Sequence, residues 1–179
     1  MPQDKQQPTS DIPDSSRVSR NTAGPFDNRH LVRQLIIQNL YERHTQSVNT
    51  TLGEASVVRE LDIPEDLELN RVSTKTAKKL KKGFEKVQVE IEEIWGNISE
   101  IDQIIQKYAK SWPINQINPV DLQILRLGIY EGFISKKIPA KVAIDEAIEL
   151  GKDFGTEGNI RFISGVLGNI YAEKPAKNG

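Results

Sequence analysis

Apolar positions recur at helical spacing through most of the chain, and they are densest at 118–134, NPVDLQILRLGIYEGFI. There Leu122, Ile124, Leu125, Leu127, Ile129, Tyr130, Phe133 and Ile134 cover most of a helical circumference. A helix that is apolar nearly all round must be enclosed by others. Its start is marked by Asn118 as a side-chain cap, Pro119 at the first helical position and Asp121 in the first turn. Upstream, 27–44 carries Leu31, Val32, Leu35, Ile36 and Leu40, while Arg29, Arg33, Ile37 and Tyr41 fall four apart and form one ridge. Residues 45–53 read as a loop. Val57, Val58 and Leu61 suggest a short helix ended before Pro64. Ser73 or Thr74 caps a longer one, in which Ala77, Leu80, Phe84, Val87, Ile91 and Ile94 keep three–four spacing to Trp95–Gly96. Its lysines come first (75, 78, 79, 81, 82, 86) and its glutamates later (90, 92, 93), a polarity that opposes the helix dipole. Ser99 and Asp102 resemble a capping box. They open a helix with Ile101, Ile104, Ile105, Tyr108 and Trp112 on its face, stopped by Pro113. Pro139 opens the next, with Val142, Ala143, Ala147, Ile148 and Leu150 inward and Gly155 as a left-handed cap. Thr156 caps the last, which carries Ile160, Ile163, Val166, Leu167, Ile170 and Tyr171.

Nothing reads as a strand pair, so the pattern predicts an all-α bundle of about seven helices. They fall into two three-helix groups, about 29–96 and 98–173. Residues 1–28 are polar and rich in turn formers. They bury too little apolar surface to offset the ordering entropy, and they read as a disordered tail; 174–179 is a polar end.

Composition narrows the chemistry. The chain has 179 residues, 37% hydrophobic and 6% aromatic, with net charge −1; any basic surface must therefore be local. The absence of cysteine excludes disulfides and thiolate chemistry and fits a cytoplasmic protein. No run approaches the roughly 18 apolar residues of a membrane helix, and the N-terminus has no apolar signal core. The only histidines, His30 and His44, share one helix. No serine sits in a G-x-S-x-G setting, and no phosphate-binding glycine loop is present. Glu146 and Glu149 read as solvated. No enzyme activity, metal site or cofactor is expected; binding is.

Three segments together resemble the NusB family of transcription antitermination factors. They are LRLGIYEGF in the central helix, IPAKVAIDEAIELGKDFG after it, with Asp145 where the family usually has Asn, and RFISGVLGNIY near the end. Arg29, Arg33, Gln38, Leu40 and Tyr41 also match the spacing of the family's first helix. The resemblance implies a NusB-like helical bundle, 29–173, of two three-helix subdomains. It implies an RNA-binding protein that engages the boxA segment of ribosomal RNA leader transcripts together with NusE, the ribosomal protein S ten, and helps RNA polymerase in its antitermination complex pass terminators. By matched position it implies RNA contacts at Arg29, Arg33, Tyr41, Arg161 and Phe162, and a NusE-facing role for Asp121.

From the residues alone, Tyr41 reads as core as readily as surface, Phe162 reads as half exposed at about a right angle to the centre of its helix's apolar stripe, with a core-edge seal as the alternative, and Arg29 and Arg33 read as a solvated face. Two other functions stay open: a protein-binding helical scaffold, and an RNA-recruiting module of the kind fused to ribosomal RNA methyltransferases. Monomer and homodimer are both open. The chain departs from the family at its first helix, where the arginines are sparser and His30 and Leu31 stand in likely arginine positions; Ser164 replaces an Asn. Fewer cations release fewer counterions, so RNA binding should be weaker and less salt-dependent.

Overall fold

In the computed structural model, which describes residues 29–51, 74–154 and 157–173, the central helix α4 spans Pro119–Ile129. Every residue from 121 to 130 is buried. Its start is as the sequence predicts: the Asn118 side chain accepts from the Val120 N–H at 2.9 Å, with Pro119 and Asp121 in the first turn. The rod does not stop at Ile129. It continues as one π-helical turn, Tyr130–Ile134, in which the Ser135 N–H reaches back to the Tyr130 carbonyl (2.8 Å) and the Ser135 hydroxyl donates to the same oxygen. Gly132 lies in this turn because α5 crosses it closely. A Cβ at 132 would stand 2.6 Å from the Ala143 Cβ and 3.2 Å from the Ala140 Cα.

Five further helices surround this rod among the described residues: α1 (Arg29–Thr51), α2 (Thr74–Gly96), α3 (Ile98–Tyr108), α5 (Ala140–Phe154) and α6 (Glu157–Glu173). α5 and α6 pack on each other and both lie on α4; α1 lies on α4 and also on α2. A single core runs through all of them, from Ile36, Ile37 and Leu40 through Ile91, Ile94, Ile101 and Ile105 to Leu125, Leu150, Ile163 and Leu167. No helix of the described residues is long and apolar enough to cross a membrane.

Three local readings are corrected. Residues 45–51 are helical, not loop: Thr45 Oγ1 donates to the Tyr41 carbonyl and Ser47 Oγ to that of His44, so these hydroxyls bond backward along the helix. The capping box at Ser99 is not formed. α3 starts at Ile98 with no side-chain cap, and Asp102 is instead engaged by Arg126. Finally, α3 ends at Tyr108, so Trp112 stands in the turn beyond it and not on its face; the Trp112 N–H donates to the Ala109 carbonyl. The tail at 1–28, the short helix at 57–61 and the caps at Gly155 and Thr156 lie outside the described residues.

The core also holds ions that periodicity does not reveal. Arg126, 3% exposed, forks both nitrogens onto Asp102 (2.9 and 2.7 Å) and donates to Gln123 Oε1 (3.0 Å), whose amide donates to the Pro119 carbonyl.

Candidate nucleic-acid interface

The ridge of Arg29, Arg33, Ile37 and Tyr41 does not lie on one open surface. Steps of four residues drift about 40° around a helix of 3.6 residues per turn, so the ridge winds across the line where α1 meets α4. Its ends are exposed, at Arg29 and at Tyr41 (41%), and its middle is covered: Ile37 is 1% and Arg33 only 5% exposed. Arg33, expected on the RNA face, is therefore turned inward. Its Nε donates to Glu131 Oε2 at 2.8 Å, and its Nη1 lies 3.3 Å from Glu146 Oε2. Burial pushes the Glu131 carboxyl above the usual carboxylate range, against the pull of Arg33.

Beside this pair His30 Nε2 lies 2.6 Å from Asp153 Oδ2 and its Nδ1 3.5 Å from Glu146; Gln34 donates to the same Asp153 oxygen. The hydrogen bond to Asp153, more than the one to Glu146, raises the imidazole, and it lowers Asp153 in return. The network clamps the start of α1 to α5 and to the π turn. Glu146, read from sequence as solvated, is one of its acceptors, while Glu149 pairs with Lys152.

A second cluster forms at the other end of α4. Phe162, half-buried on α6, meets Trp112 edge to face, with ring centroids 6.2 Å apart and planes at 68°. Trp112 is 51% exposed. The two rings border a cleft of about 320 Å³ lined also by Gln116, Ile117, Asn118, Asp121, Gly158 and Asn159. Asp121 is 4% exposed, and its Oδ1 has no hydrogen-bond partner among the described residues. Burial raises its carboxyl, and a hydrogen bond with Asn159 offsets part of that. Arg161 is exposed next to Phe162.

Chemically, the cleft offers aromatic surface and a buried acceptor lacking a donor. That combination suits a planar group bearing N–H, such as an unstacked base, or a donor side chain from a partner protein. Ten residues, hence about 15 Å of axial rise, separate Asp121 from Glu131. Of the six residues singled out, the structure thus brings Phe162 and Asp121 together with Arg161 adjacent, leaves Arg29 and Tyr41 exposed elsewhere, and withdraws Arg33. Sequence reasoning missed Trp112 and Asn159 as cleft residues. The signal for Trp112 was Pro113, which forces the preceding residue out of helical conformation.

The comparisons with known proteins are consistent along most of this chain. The NusB family model matches residues 30–172. The chain belongs to the NusB family. It is similar to the transcription antitermination protein NusB of Elusimicrobium minutum, 39% identical over 153 residues that cover 85% of this chain and 97% of that one. It is also similar to the protein of the same name from Thermotoga maritima, 41% identical over 97 residues, 54% of this chain and 68% of that one. A solved structure of Thermotoga maritima NusB superposes with a TM-score of 0.60 at 30% identity, covering 81% of this chain and 91% of its own. The all-helical NusB architecture expected from the sequence is thereby established.

Proposed function

We propose that this chain is a transcription antitermination factor. In this reading it binds boxA RNA of ribosomal RNA leader transcripts together with NusE, and it helps RNA polymerase read through terminators. Membership of the NusB family supports the role, and what supports an RNA seat at the Trp112–Phe162 cleft is Asp121 Oδ1, buried with no hydrogen-bond partner among the described residues. An unpaired buried acceptor costs roughly 1–3 kcal/mol, which a ligand donor would recover. Arg161 supplies a cation at the rim, and stacking on the rings is worth roughly 1–3 kcal/mol per base.

The test is a titration of labelled boxA RNA, with and without NusE, against a scrambled RNA of the same length. Phe162→Ala should weaken boxA binding by about fivefold or more, the lower end of that stacking range. Equal affinity of the parent for boxA and scrambled RNA in the presence of NusE would reject the reading. A protein-only scaffold has one observation in its favour, the internal neutralisation of Arg33; it would appear as NusE capture indifferent to RNA.

A further inference from the structure

The lysine-first pattern of α2 is unexplained by stability. Cations in the N-terminal half of a helix work against its dipole, and Lys78, Lys79, Lys81, Lys82 and Lys86 are all exposed. Among the described residues outside α2, Arg33, Arg43, Arg126, Lys107, Lys137 and Lys152 each face a carboxylate. Lys82 and Lys86 have no ion pair among the described residues. They do not merely decorate the helix. With Lys79 they border a groove of about 280 Å³ between α2 and α1, floored by Val32, Gly83 and Val87 and closed at one end by Glu90. The ammonium groups are spread over seven residues, about 10 Å of axial rise. On the α1 side, the exposed Arg29 stands one turn before Val32, on the same helix face. A row of cations over an apolar floor, in a chain of net charge −1, complements a strand that carries phosphates at regular intervals.

We propose that this groove binds the phosphate backbone of single-stranded RNA, as a sequence-independent contact surface separate from the Trp112–Phe162 cleft. The inference rests on the RNA-binding reading above and extends it to nucleotides flanking the recognised segment. Lys82 and Lys86 act as point charges that displace condensed counterions, Lys79 borders the same groove, and Arg29 extends the row onto α1. Glu90, whose Oε1 lies 3.4 Å from Lys137 Nζ, closes the track at that end.

The experiment compares the full chain with Lys82→Ala/Lys86→Ala. The control, Lys78→Ala/Lys81→Ala, makes the same charge change on the same helix away from the groove lining. Binding to a boxA RNA carrying leader sequence on both sides is read across about 50 to 200 mM salt. Each single-strand phosphate contact contributes about 0.7 to the log–log slope. Losing two should flatten the slope by about 1.4, so that the groove variant loses about sevenfold less affinity than the parent over this range. The control should change the slope by less than half as much. A short RNA confined to boxA should bind parent and groove variant alike. A groove variant with the parent's slope, or one no flatter than the control, overturns the proposal; an acidic protein as the true occupant would give that result. A parent that prefers boxA while the groove variant keeps its slope sinks only the groove. A parent indifferent to boxA whose slope still flattens in the variant sinks only the boxA reading.

Discussion

Arg33 separates two accounts of α1, one in which it touches RNA and one in which it holds the fold. The substitution Arg33→Met keeps the stem and removes the guanidinium. Arg33 and Glu131 side chains are 6% and 9% exposed, so the change leaves a carboxylate shut away from water without its counter-ion. Breaking a buried pair from one side costs about 3–5 kcal/mol. The partly exposed Glu146 adds little, as exposed pairs contribute roughly 0–1 kcal/mol. For a chain of this size each kcal/mol moves the melting temperature by about 2–4 °C, so the melt should fall by roughly 6–20 °C.

The variant should also acquire a pH signature. With Arg33 gone, the Glu131 carboxyl, already raised by burial, rises further. An acid whose folded value lies above its unfolded one stabilises the fold below the unfolded value, and that stability is lost as pH rises through the folded one. Arg33→Met should therefore recover stability on acidification from neutral pH toward the ordinary glutamate range, and Arg33→Met/Glu131→Gln should recover much of it at neutral pH. Urea unfolding with the double-mutant cycle reads both. An unfolding free energy within about 1 kcal/mol of the parent, together with an RNA salt slope flattened by about 0.7, would refute this reasoning and restore Arg33 to the RNA face.

Three other outcomes are expected. Gly132→Ala gains about 1 kcal/mol of helix propensity, but its Cβ meets Ala143 at 2.6 Å, so a net loss of about 1–3 kcal/mol in urea unfolding should result, partly relieved by adding Ala143→Gly. Arg126→Met strands Asp102 and Gln123 and should cost about 3 kcal/mol of unfolding free energy, read as a lower urea midpoint at unchanged m-value. His30→Gln removes a base whose affinity for protons is raised in the fold by Asp153 and Glu146. The parent's small stabilisation is present below the ordinary histidine value and fades as pH rises through the raised one, so the parent-minus-variant difference, under about 1 kcal/mol for so exposed a pair, should vanish toward alkaline pH.

The helices were legible where burial is one-sided or total. The all-round apolar run predicts α4, and the Asn118–Pro119–Asp121 start is observed residue for residue. What stayed hidden are contacts between residues far apart in the chain. Nothing local in Arg33 says that Glu131, 98 positions later, will neutralise it, and a four-residue ridge looks continuous until another helix crosses it. The spacing of Asp102 from Ser99 fits a capping box, but the tertiary pull of Arg126 wins. The cleft was half legible: Phe162 and Asp121 were singled out separately, but their meeting with Trp112 depends on where α3 stops.

The π turn at Tyr130–Ile134 works as a phase shifter. Wound as an ordinary helix, the same five residues would turn through about 500°, further than the wider π coil carries them, and each later side chain would swing off its bearing. The slack coil lets three consecutive residues reach three different neighbours: the Tyr130 hydroxyl donates to Glu93 on α2, Glu131 takes Arg33 on α1, and Gly132 lets α5 pass. Excising a single residue there would tighten the coil and mis-aim all three at once, so the segment should tolerate exchange of side chains far better than any change in its length.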